Sequence, residues 1–187
     1  LAPQLWREQG LKPMQPEERR GLTRNGVPDA AIEKMAMARE SAPFRNHPLP
    51  MSFVRMRDGD VIKFGGRSWK VLVNGGHADE HASFYCAKDK ILIAGDQILS
   101  KISPVVGVFL SQPWSDPLSD YLKSLERLRK LPDDTLVLPS HGLPFRGLHT
   151  RIDQLAHHHE LRLQKLIELM TGDKNGLRNQ VGLCHFL

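Results

Sequence analysis

Three residues of metal-ligand type recur at one kind of place in this sequence. His77 follows Asn74-Gly75-Gly76 after the apolar run Val71 to Val73. Asp96 follows Gly95 after the run Ile91 to Ala94, and His141 follows Pro139 and Ser140 after the run Thr135 to Leu138. Neutral imidazole and carboxylate are donors that zinc and similar ions take, and a catalytic ion keeps a position open for water, whose pKa it lowers to about 7. Two histidines and one aspartate are a minimal set for a single ion, and an aspartate can also bridge two. Taken singly, an Asp after Gly or a His in a Ser-His-Gly turn is an ordinary turn residue. The same placement after three apolar runs is what carries the metal reading.

Such a site needs strands that bring the three residues to one edge of a sheet, the place where open α/β sheets hold ligands. From Ser52 the texture is that of a β-meander. Ser52 to Met56 alternates, Arg57-Asp58-Gly59-Asp60 carries the Asp-Gly turn signal, and Val61 to Phe64 and Ser68 to Val73 flank Gly65-Gly66. Ala82 to Cys86, a turn over 87–90 and Ile91 to Ala94 continue it. After Asp96 comes a long irregular stretch with Pro104, Gly107 and Pro113, a loop length that is usually functional or mobile. Ser115-Asp116-Pro117 then opens a helix from about Leu118 to Leu131, with Leu118, Tyr121, Leu122, Leu125 and Leu128 on one face. A second long helix is expected from about Thr150 to Met170, with Ile152, Leu155, Leu163, Leu166 and Leu169 on its buried side.

The segment before the meander reads as helical and peripheral. Leu1 to Gln9 fits a short helix, Pro16-Glu17-Glu18 suits a first helical turn, and Pro28 to Ser41 is the clearest helix, its methionines expected as core filler. Pro43, Pro48 and Pro50 mark a loop, and His47 within it reads as an exposed loop histidine.

At 187 residues the chain fits one domain of ordinary size or one domain with an extra piece. The charge of +5, from 26 Lys+Arg against 21 Asp+Glu, is spread through pairs such as Arg19-Arg20 and the stretch Arg127 to Lys130, so no nucleic-acid partner is indicated. Cys86 and Cys184 lack any CxxC spacing, which argues against a disulfide framework and fits a reducing, cytoplasmic setting. No membrane span or signal-peptide layout is present in the sequence.

Gly76-His77-Ala78-Asp79-Glu80-His81, then an apolar strand ending in Gly95-Asp96, then Ser140-His141-Gly142, resembles the second half of the metallo-β-lactamase superfamily, nearest to its glyoxalase-II-like hydrolases. The resemblance covers roughly residues 52 to 170. It implies an α/β layered fold, part of an αβ/βα sandwich with helices flanking a mostly antiparallel sheet, and one or two zinc ions at a sheet edge. By motif match His77 would ligate the first ion, Asp96 would bridge, and His141 would ligate the second, while His81 would support the site without binding metal. The implied reaction on a small-molecule substrate is attack of a metal-bound hydroxide on an ester-like carbonyl, a thioester or lactone, with Asp96 holding the nucleophile. Lys101 is a candidate for contact with a substrate anion, beside the plainer role of a solvated loop lysine.

One part of the pattern is absent. The family's H-x-H-x-D-H motif occurs nowhere in the sequence, and His157-His158-His159 have the wrong spacing and read as a polar helix surface. Two alternatives stay open. Either the chain is the carboxyl-terminal part of a hydrolase, to be completed by a missing amino-terminal half or by a second copy, or it is a degenerate, non-catalytic interaction module on the same fold. The organisation expected is a helical segment over 1–50, a β-rich region with the site loops over 51–149, and a C-terminal helix leading into a shortened appendage over 150–187.

Overall fold

The computed structural model describes residues 14–40, 52–109 and 112–172. The chain divides into two compact units, one of residues 1–54 with 168–187, the other Arg55–Ile167. The expected helix over 1–9, His47 and the proline loop around it lie outside the described residues.

In the first unit, α1 (Pro16–Arg24) and α2 (Asp29–Glu40) form where the proline and acidic residues indicate. Pro16 opens α1 without losing a helical bond, and Glu18 reaches back to the Gln15 amide at 3.4 Å. The two helices are joined by Arg19–Glu33 and Arg39–Glu18 ion pairs. The methionines expected in a core are not there. Ile32 and Ala36 are the buried residues of α2, while Met35 and Met37 are 50% and 67% exposed. Ile32 and Ala36 are spaced i and i+4 and share a narrow face that Met35 and Met37 miss.

The second unit holds the sheet. Its strands β1 (Val61–Phe64), β2 (Arg67–Asn74), β3 (His81–Cys86), β4 (Ile91–Gly95) and β5 (Leu136–Pro139) lie in the order β1-β2-β3-β4-β5. The first four are antiparallel neighbours, and β5 pairs parallel to β4. A parallel pair needs a crossover, which here carries α3 (Pro117–Leu128). Asp116 caps α3 by accepting from the Ser119 amide at 3.0 Å, and Pro117 fills its first position. The last described helix, α4, runs Leu148–Gly172.

One sheet face and the two helices enclose the core. Leu72, Tyr85, Leu92, Ala94 and Val137 from the strands meet Tyr121, Leu125 and Leu128 of α3 and Leu148, Ile152 and Leu155 of α4. Each large aliphatic side chain buried there contributes roughly 1.5–3 kcal/mol. The helix positions follow the predicted face, with two departures on α4. Leu163 and Leu169 are 40% and 44% exposed, because the core cluster ends at Leu155 along this helix. His159, expected on the polar surface, is buried against the ring of Tyr121, centroids 5.4 Å apart.

Ser52 to Met56 do not form the expected strand. The reason lies at the edge they would join. Gly59 and Asp60 already bond Val71, and the Asp58 carboxylate accepts the Val73 amide at 2.8 Å, so the free edge of β2 is closed by a turn and a side chain. Phe53 and Val54 are left exposed.

Candidate metal centre

The strand directions place the site. Because β3 runs antiparallel to both its neighbours, β2 and β4 point the same way, and β5 is parallel to β4. The carboxyl ends of β2, β4 and β5 therefore share one edge, and β3 begins there with His81. His77 leaves three residues beyond β2, Asp96 is the residue after β4, and His141 comes two residues after β5.

At this edge the Asp96 carboxylate stands between two imidazoles. His77 Nε2 is 3.5 Å from Asp96 Oδ2, and His141 Nε2 is 3.5 Å from Asp96 Oδ1. Both separations exceed a good charge-assisted hydrogen bond of about 2.7–2.9 Å. They are close to the roughly 3.4 Å between two donors that each sit about 2.0–2.1 Å from one tetrahedral zinc. His77 also contacts the Val105 carbonyl through Nδ1 at 2.8 Å. A carbonyl only accepts, so Nδ1 carries a proton, and in the neutral ring Nε2 then keeps the lone pair, the form a metal-binding imidazole requires.

His81 is differently committed. The Asp96 backbone N–H is directed at His81 Nε2, 3.3 Å away, which occupies the lone pair of that nitrogen. Its Nδ1 is buried with no partner among the described residues. Burial first, and then the neighbouring His77 ring, hold its pKa below the ordinary histidine value, in keeping with a neutral ring that accepts the amide. Lys101 is exposed on the loop and makes no ion pair with a described residue.

Two contributors were not visible as sequence signals. Ser140 donates its hydroxyl to Asp96 Oδ1, a role hidden in the Ser-His-Gly turn that drew attention only to His141. The Val105 carbonyl, part of the irregular stretch, has no side-chain signature at all.

The donors suit zinc in kind but not in number. Among the described residues no group of three or more His, Cys, Asp and Glu side chains could hold an ion unaided.

A family model described as the metallo-β-lactamase superfamily matches residues 15–141, which include His77, Asp96 and His141. The chain belongs to the metallo-β-lactamase superfamily. The match begins well upstream of residue 52, where the motif resemblance starts. A metallo-β-lactamase family protein from Thermus thermophilus superposes with a TM-score of 0.70 at 33% identity, over 90% of this chain and 52% of that one. A β-lactamase domain protein from Burkholderia ambifaria gives a TM-score of 0.62 at 46% identity, over 64% and 37%. Among curated relatives, a hydroxyacylglutathione hydrolase of Rhodopseudomonas palustris (strain BisB18) is 30% identical over 60% of this chain and 42% of its own length. A lactamase-like protein of Penicillium aethiopicum is 26% identical over 78% of this chain and 43% of its own length. The chain spans less than half the length of these curated relatives. The two superposed structures agree with the mixed α/β fold described above. No described helix is long and apolar enough to cross a membrane.

Proposed function

We propose that this chain supplies one side of a zinc-dependent hydrolase site that cleaves an ester-like bond, a thioester or a lactone, in a small-molecule substrate. In this reading His77, Asp96 and His141 are the metal donors, and His81 holds Asp96 in place. The observation that carries it is the Asp96 carboxylate set between two imidazoles, one facing each oxygen at 3.5 Å. When bound, zinc supplies Lewis-acid polarisation of an acyl carbonyl and lowers the pKa of a water to about 7. The residues of this chain orient donors for that ion. The Ser140 hydroxyl and the His81 contact fix the carboxylate and its backbone, and the Val105 carbonyl keeps the His77 lone pair on Nε2.

The thioester is supported by relatives named for hydrolysis of a hydroxyacylglutathione. Lys101, exposed five residues beyond Asp96, is the candidate contact for a substrate anion. The H-x-H-x-D-H donors are absent from these residues, so a complete centre draws further donors from another polypeptide segment or a second copy of the chain.

One observation favours a second reading, a non-catalytic assembly module, and that is the lack of three grouped donors among the described residues. Calorimetric titration of the chain with zinc tests the donor set, with hydrolysis of an acyl thioester and a lactone followed in parallel. Zinc binding by the wild type that disappears in Asp96→Ala is the expected result. Binding that survives Asp96→Ala removes Asp96 as a donor, and no binding by the wild type means that this chain by itself holds no ion and is catalytically incomplete.

A further inference from the structure

We infer that Arg151 is a positioning residue for His77, acting through the backbone of the loop that connects them. The His77 ring is set by one bond, from Nδ1 to the Val105 carbonyl, so its tautomer depends on where that carbonyl stands. Val105 belongs to no strand or helix, and the residue is 72% exposed, so neither secondary structure nor its own burial places it.

The restraint comes from α4. Arg151 Nε donates to the Leu99 carbonyl at 2.7 Å, and its Nη2 donates to the Ile102 carbonyl at 2.9 Å. One planar fork thus pins the loop at two points, six and three residues before Val105, a geometry that a flexible ammonium does not reproduce. Further along the helix, His159 Nε2 lies 3.5 Å from Ser103 Oγ, and Pro104 is buried. The third side-chain contact of Arg151 is Gln154 Oε1 at 3.0 Å, within its own helix. The two strongest bonds of this partly desolvated guanidinium are therefore spent on loop carbonyls, and both are on the path to His77.

The importance of the tautomer rests on the reading of His77 as a metal donor, but the tautomer itself is measurable with no metal present. The full chain, labelled with ¹⁵N at histidine, is examined by long-range ¹H–¹⁵N correlation at about pH 8.5, some two units above the ordinary imidazole pKa of about 6.5. His77→Gln assigns the signals. The wild type is expected to show His77 protonated at Nδ1 alone. Arg151→Met is expected to shift the tautomer ratio toward Nε2–H by roughly three- to tenfold, the preference that one ordinary hydrogen bond confers. Arg151→Lys, which retains charge and stem, is expected to lie between. His81, held by the Asp96 amide and not by the loop, is the internal control and keeps one tautomer throughout. A wild-type His77 signal in both variants overturns the inference. If Arg151→Met fails to fold, judged by its backbone amide spectrum, an unchanged signal in Arg151→Lys overturns it alone. Failure of the zinc reading would instead appear as absent zinc binding with the tautomer shift intact.

Discussion

The Asp96 amide and His81 Nε2 stand 3.3 Å apart, and the last residue of β4, just before that amide, leaves no slack. Gly95 has φ +57, and a Cβ built on it would lie 2.7 Å from the same His81 Nε2. The end of β4 and the His81 ring are thus fitted to each other before any ligand arrives.

Gly95→Ala should therefore do two things at once. The left-handed backbone costs roughly 1–2 kcal/mol for an L side chain, and the His81 ring must move to admit the methyl. The expected loss of about 1–3 kcal/mol is read by urea unfolding. Zinc affinity should fall with it, since the displaced ring no longer holds the Asp96 amide. Unchanged stability and affinity would show that the ring gives way without consequence.

Gly76→Ala is expected to be more severe. Gly76 has φ +103, and its Cβ would meet Tyr121 Cβ, the Tyr121 Cα at 2.6 Å and the Pro117 carbonyl at 2.7 Å. These are mostly backbone atoms at the start of α3, which cannot swing aside as a side-chain tip can. Loss of about 3 kcal/mol or more, or failure to fold, is the expected outcome of chemical denaturation. The close approach of the β2 exit to α3 is also what aims the next residue, His77, at the sheet edge.

Tyr121→Phe tests the anchor beneath the centre. The fully buried hydroxyl donates to the carbonyl of Gln97, the residue after Asp96, at 3.2 Å. Burial also holds its pKa well above the ordinary tyrosine value, so the hydroxyl stays a donor. Removing it leaves a buried carbonyl short of a partner, with an expected cost of about 1–2 kcal/mol by thermal or urea unfolding.

His159 predicts a pH dependence. Its buried ring faces Tyr121 of α3 and Ser103 of the loop, with His158 and Arg162 beside it on α4. Burial, then the neighbouring His158 and Arg162, hold its pKa below the ordinary value. The unfolded chain therefore takes up its proton at a higher pH than the folded one. Stability is full above about pH 6.5 and declines as pH falls through the lower folded value. The melting temperature should drop between about pH 8 and pH 5 in the wild type and drop less in His159→Leu. His81, shifted in the same direction, leaves part of the slope in the variant. Identical pH slopes would exclude His159 as a source.

What the sequence determined by itself is what near neighbours encode. Alternation and turn residues marked β1 to β5, Asp116-Pro117 marked the start of α3, and three residues of metal-ligand type stood just past apolar runs, enough to indicate an α/β fold and a candidate edge. The tertiary structure decided which of these signals found partners. Ser52 to Met56 alternate like a strand, yet Asp58 and the turn after it had already closed the edge of β2. His159 looks polar in its triplet and is buried because Tyr121, 38 positions earlier in the numbering, packs on it. The tautomer of His77 is held by a carbonyl 28 residues away, and that carbonyl is steadied by an arginine from α4. Periodicity and turn chemistry act over a few residues along the chain. Hydrogen bonds between distant backbone groups exist only once the sheet and helices have brought those groups together, which is why that layer of the site had no signature in the sequence.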